Sequence, residues 1–205
     1  MNSTFFAAGS LDGLRVALRE CTGRQDGQLD VVIVPSAAAF TGAPEACVAI
    51  AQVCNEFDVR VEALMITDRA STSEPYFIER VRAADVVVLA DGSPLHARMT
   101  WRNSLVGDAL KAAKTVVAIG AVASVMSEVM IDPRGGAPTI GLGLFGDVAF
   151  TEPASEERLA RTRTLIDPSL ALVVLGADAL VVHDGAWRVL CGEVVVTRGE
   201  RVSDL

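Results

Sequence analysis

Thr115-Val-Val-Ala-Ile-Gly-Ala-Val-Ala-Ser-Val-Met-Ser-Glu-Val-Met-Ile-Asp-Pro-Arg-Gly-Gly-Ala-Pro-Thr-Ile-Gly-Leu-Gly-Leu144 reads as a buried strand, a turn, a helix and a glycine-rich loop. The run Thr115–Ile119 is apolar and rich in Val and Ile, as a strand covered on both faces must be. Outward from it, apolar runs alternate with helical patterns, which is the signature of βαβ units and a parallel sheet. The other strand candidates are Thr4–Ala8, Asp30–Pro35, Val59–Ile66 and Asp85–Ala90. Helices are predicted at about Leu11–Glu20, Pro44–Phe57, Glu74–Ala83, Pro94–Ala113, Gly120–Met130 and Ala154–Ile166. The C-terminal part changes character. Leu170–Leu175, Ala179–His183 and Trp187–Cys191 read as short strands, and Val194–Thr197 as a further edge strand. Asp184-Gly185 between two of them is a hairpin turn signal. The expected architecture is a doubly wound α/β fold, a mainly parallel sheet with helices on both faces and an antiparallel C-terminal hairpin. Residues 1–205 are expected to form one domain.

Composition narrows the function classes. The 205 residues are 51% hydrophobic with few aromatics, and the formal net charge is −8. With no block of Lys and Arg, the chain is not expected to bind nucleic acid or an anionic membrane. No apolar run reaches the length of a membrane span. The segment Met1–Ser10 has no basic n-region and too short an apolar run for a signal peptide. It reads as the approach to the first strand of a cytoplasmic protein. The four cysteines, Cys21, Cys47, Cys54 and Cys191, form no Cys-x-x-Cys and have no His at ligand spacing. They read as buried reduced thiols, and no metal or cofactor is expected.

The turn at Gly120 carries the chemistry. A nucleophile elbow sets one side chain at the tip of a sharp strand-to-helix turn, flanked by small residues, with the next backbone N–H contributing to an oxyanion hole. Together with Met130-Ile-Asp-Pro-Arg-Gly-Gly136, Gly141-Leu-Gly-Leu144 and Ala90-Asp-Gly-Ser-Pro-Leu-His-Ala-Arg98, this region resembles the dipeptidase E and cyanophycinase family. These are serine hydrolases on the class I glutamine amidotransferase-like, flavodoxin-like fold. The resemblance runs from about Asp30 to Cys191. Registered back from Met130–Gly136, it places the nucleophile position on Gly120 and the flanking elbow glycines on Ala118 and Val122. It puts the base position, a His in the family, at Thr151 or Glu152 within Val148-Ala-Phe-Thr-Glu-Pro153. The family's Gly-x-Asp-Glu segment is shortened to Gly176-Ala-Asp178. Gly120 has no side chain to attack with, and neither Thr151 nor Glu152 is a His.

Other residues could stand in. Ser124 and Ser127 are placed one and two turns into the predicted helix, where a serine usually bonds back to a carbonyl. Ser93 before Pro94 suits an N-cap followed by N1, and Asp91-Gly92 suits a turn that exposes amides at the sheet mouth. His96 lies in the first turn of the same helix, and His183 precedes the hairpin turn. Arg134 reads as a carboxylate binder, or else as the partner of Asp132 or a solvated loop charge. The glycines do not form a dinucleotide fingerprint. The expected remnant pocket comprises Asp91, Gly92, Ser93, His96, Gly120, Ala121 and Arg134. Asp91-Gly92-Ser93 and Gly120-Ala121 are expected side by side, since the loops at the carboxyl ends of neighbouring strands converge.

On this reading the chain is a non-catalytic member of the family, a pseudoenzyme that binds a small molecule or peptide or serves as a structural subunit. The resemblance implies a homodimer, or a heterodimer with an active relative. The alternative is an active peptidase or amidase with a rearranged nucleophile. A glutamine amidotransferase domain is disfavoured, because its Cys would sit at the elbow.

Overall fold

The computed structural model describes residues 3–24 and 27–205. Met1 and Asn2, which open the segment read above as the approach to the first strand, lie outside them. The first half of the chain alternates as its pattern predicts: β1 (Thr4–Ala8), α1 (Leu11–Thr22), β2 (Leu29–Val34), α2 (Ala43–Cys54), β3 (Val59–Ala63), α3 (Pro75–Ala83) and β4 (Val86–Leu89). Then come α4 (Pro94–Trp101), α5 (Leu105–Ala112), β5 (Thr115–Ile119), α6 (Ala123–Met126), β6 (Val129–Ile131), β7 (Pro138–Ile140), β8 (Val148–Thr151) and α7 (Glu156–Leu165). The chain closes with β9 (Ala171–Leu175), β10 (Leu180–His183), β11 (Trp187–Cys191), β12 (Val194–Arg198) and β13 (Arg201–Val202).

The main sheet has the order β11-β10-β1-β5-β4-β2-β3. Its five central and right-hand strands pair in parallel, and β10 and β11 are antiparallel additions at one edge. Period-two alternation divides the core. Phe5 and Ala7 of β1 enter one cluster with α3, α4 and α5, while Phe6 and Ala8 enter the other with α1 and α2. All four are essentially inaccessible to water. Such a strand has no polar face, which is why its sequence reads as a continuous apolar run. The hairpin forms as expected, with His183 opposite Trp187 and Gly185 at φ +112 in the turn.

Three expectations are corrected. The helix predicted over Pro94–Ala113 is two helices. Asn103 adopts φ 55 between them, and Ser104 recaps α5 by accepting from Gly107 N at 3.0 Å. Gly107 permits the close turn, since a Cβ there would lie 2.1 Å from the Trp101 carbonyl oxygen. The apolar pattern continues across the break, so periodicity alone merges the two helices.

The helix predicted over Gly120–Met130 ends at Met126, and Ser127 is therefore outside it in extended conformation. The glycine loop ends it. Leu142 N donates to Val125 O at 2.7 Å and Leu144 N to Met126 O at 2.8 Å, taking the carbonyls that a continuing helix would use. The β-branched Val129 and Ile131 then pair with Ile140 and Pro138 in a small antiparallel ladder.

The third correction concerns the C-terminal strands. β9 and β12 do not extend the main sheet but form a second one, β13-β12-β9-β8. β8 and β9 are parallel and joined through α7, a further βαβ unit. β8 was absent from the strand candidates. No helix among the described residues is long and apolar enough to cross a membrane.

Candidate functional site

The loops after β1, β2, β4 and β5 gather at the carboxyl end of the main sheet, where open α/β sheets hold ligands. β4 and β5 are neighbours, with Leu89 opposite Ala118. Their loops are tied by one carboxylate. Oδ1 of Asp91 accepts from Gly92 N at 2.7 Å and from Ala121 N at 3.0 Å. Asp91-Gly92 and Gly120-Ala121 thus stand side by side. The loop after β4 is anchored to the turn after β2, since Ser93 N donates to Ala37 O at 2.7 Å. Gly92 is obligatory there: it has φ +148, and a Cβ would fall 2.3 Å from that same carbonyl oxygen.

Gly120 has φ +62, so the tip of the turn does adopt the left-handed conformation of an elbow. A Cβ built on Gly120 would lie 2.3 Å from Asp91 Cγ and 2.4 Å from its Oδ1. The Asp91 carboxylate therefore fills the space that a side chain at the elbow tip would take. It also occupies the backbone amide of Ala121, the donor that follows the tip. An anion site made by that amide is already filled from within the chain.

The remaining candidates have structural partners. Ser93 Oγ accepts from His96 N at 3.3 Å as the N-cap of α4. His96 Nε2 lies 2.7 Å from the Thr67 carbonyl oxygen and 3.4 Å from Thr100 Oγ1, and its ring abuts Phe40 at 4.6 Å. It links α4 to the loop after β3. Ser124 Oγ donates to Ala121 O at 2.8 Å, a back-bond within the turn. Ser127 Oγ is buried with no hydrogen-bond partner. Neither serine has a His among its hydrogen-bond partners.

Thr151 Oγ1 donates to Glu152 O at 3.3 Å. The Glu152 carboxyl is held above the usual carboxylate range by desolvation, with the charge of Asp91 adding to the effect and Arg158 opposing it. Arg134 is exposed, and it is the backbone N that meets Asp132 Oδ1, at 2.8 Å. The arginine lining the space beside Ala121 and Ser124 is instead Arg158, whose Nη1 donates to Pro133 O at 2.7 Å. No local signal in Glu156-Glu157-Arg158 marks it. His183 is opposite Phe5 near the amino end of β1, whereas Gly120 follows the carboxyl end of β5. It stands at the wrong end of the sheet to serve as base.

The space left at the elbow is small. Ala121, Ser124, Phe150, Thr151, Glu152 and Arg158 enclose a void of about 20 Å³, room for about one water. A second crevice, about 290 Å³, opens on the other side of Asp91 between Ser10, Ala46, Ala49 and Ile119. Among the described residues no three His, Cys, Asp or Glu side chains converge in a manner suited to a metal ion.

No protein-family model matches the sequence, and no curated protein matches it significantly. Solved structures do. A peptidase from an acI-B1 Actinobacterium superposes with a TM-score of 0.80 at 18% identity, covering 100% of this chain and 94% of that one. A peptidase E-like protein from Listeria monocytogenes EGD-e superposes with a TM-score of 0.66 at 15% identity, covering 96% and 98%. The chain has the peptidase E-like fold. The alignment spans nearly the whole of both chains. At this identity the likeness concerns the fold, and the chemistry must be argued from the site.

Proposed function

We propose that this chain is a non-catalytic member of the peptidase E and cyanophycinase group that acts by binding or as a structural subunit. The observation that carries the reading is the Asp91 carboxylate seated over Gly120, on the amide of Ala121. A serine hydrolase needs a nucleophile at the elbow tip, a base in reach and an empty oxyanion hole. Here the tip lacks a side chain, and a carboxylate occupies both the space and the donor. The nearby Thr151 and Glu152 stand where a His is needed, and His96 is committed to Thr67.

In this proposal residues 1–205 act as one cytoplasmic domain, pairing with a second copy or with an active relative. The competing reading, a peptidase or amidase with a rearranged serine, is weakened by the engagement of Ser93 as a cap and Ser124 in a back-bond. Incubation with a fluorophosphonate, followed by intact mass measurement, tests the choice. No adduct and no cleavage of aspartyl dipeptides is the expected outcome. A stoichiometric adduct that disappears in Ser124→Ala or Ser93→Ala would establish the rearranged hydrolase instead.

A further inference from the structure

We propose a second ligand site, at the amino end of the main sheet, that takes a small aromatic carboxylate. It lies at the far end of the strands from Asp91 and Gly120 and does not depend on what the elbow does. A cavity of about 430 Å³ opens there between the starts of β1 and β5, the end of α5, the loop after the glycine-rich segment and the hairpin. That volume falls within the range of small-molecule pockets. Its walls include Phe5, Leu110, Val116, Phe145 and His183.

The aromatic side of the cavity is built rather than incidental. The Phe145 ring lies 4.9 Å from Phe5, 5.1 Å from His183 and 4.8 Å from Trp187, and His183 lies 4.7 Å from Trp187. Trp187 is fixed in turn by Nε1, which donates to Asp147 Oδ2 at 3.0 Å. Phe5, Phe145 and His183 line the cavity, and Trp187 packs against the last two without lining it, in a chain with few aromatics. Phe145 is only partly covered, and a flat apolar ligand against it would remove further ring surface from water.

Charge selects the head group. Among the described residues Lys111, in the last turn of α5, is the one Lys, Arg, Asp or Glu in the cavity wall. It makes no ion pair among the described residues, whereas the nearby Lys114 is engaged with Asp85 at 2.8 Å. An apolar cavity with an unengaged ammonium at its rim complements an apolar body bearing one negative charge. In a protein of net charge −8, that single cation gives the cavity a sign opposite to the rest of the molecule.

The two tryptophans make the test direct. Trp101 is fully buried and bonded to Ser36, so the reporter is Trp187, which abuts the lining rings of Phe145 and His183. Titration of 4-phenylbutyrate should change the Trp187 emission saturably and raise the melting temperature, with 4-phenylbutylamine giving a weaker response. Trp187→Phe should remove the fluorescence change. Lys111→Gln, an exposed helical position, should weaken 4-phenylbutyrate by about 1.5- to fivefold, the range for an exposed ion pair. Lys111→Glu should invert the preference toward the amine. Circular dichroism establishes that each variant is folded. No response to either compound at tens of millimolar, or equal affinity for acid and amine in the unmodified protein, would overturn the proposal. So would an unchanged preference in Lys111→Glu.

Discussion

Replacing Gly120 by serine restores the missing side chain, and the structure says what this costs. The backbone at Gly120 is left-handed, at φ +62, which costs an L-residue about 1–2 kcal/mol. The new Cβ would lie 2.3 Å from Asp91 Cγ, so the carboxylate must leave. It then gives up the amides of Gly92 and Ala121. Each such bond has a net worth of about 1 kcal/mol at an exposed site where water can replace the partner. The sum is about 3–4 kcal/mol, or a fall of roughly 6–16 °C in melting temperature for a chain of this size. Urea denaturation of four proteins checks it: the parent, Gly120→Ser, Asp91→Ala and the double variant. Asp91→Ala removes the collision, so the double variant should be more stable than the sum of the single effects by about 1–2 kcal/mol. None of the four is expected to accept a fluorophosphonate, because His96 is bonded to Thr67 and His183 lies at the other end of the sheet. If Gly120→Ser unfolds within about 0.5 kcal/mol of the parent, or the two changes simply add, Asp91 does not occupy the elbow position and the reasoning is refuted.

Other outcomes follow from named contacts. Arg80 joins Asp30 at 2.9 Å to Glu62 at 2.7 Å, and Arg80→Ala should lower stability at pH 7 by about 2 kcal/mol in urea denaturation. The Asp30 carboxyl is held below its usual range, chiefly by the Arg80 hydrogen bond. Its stabilisation is therefore present above about pH 4, the unfolded carboxyl value, and is lost as pH falls through the lower folded value. Stability of the parent should drop below pH 4, and Arg80→Ala should flatten that drop. Asn103→Gly should leave melting unchanged within about 0.5 kcal/mol, whereas Asn103→Val should cost about 1–2 kcal/mol, because the residue between α4 and α5 has φ 55. Cys21 and Cys54 have thiols pushed up to about 11 by burial, so at pH 8 neither should react with a disulfide reagent until the protein is unfolded. Thiol release followed by absorbance, with and without denaturant, measures this.

The sequence determined the elements whose residues speak locally. The apolar runs at Thr4–Ala8 and Thr115–Ile119 are strands because both of their faces are covered, and the Asp184-Gly185 turn follows from the backbone freedom of Gly185. The turn at Gly120 was also legible, since only glycine tolerates φ +62 cheaply. What was missed depended on partners distant in the chain. The helix after Gly120 was read too long because the amides that end it come from Leu142 and Leu144. The second sheet was missed because β8 finds its partner β9 only across α7. Tertiary structure alone decided the site. Asp91 and Ala121 are 30 residues apart, and they meet because crossover connections lay β4 beside β5. The same topology sends His183 to the opposite end of β1, away from the elbow. Residue type and period fix which face of an element is buried, but the pairing of strands fixes which loops share an edge, and chemistry at a sheet edge belongs to the pairing.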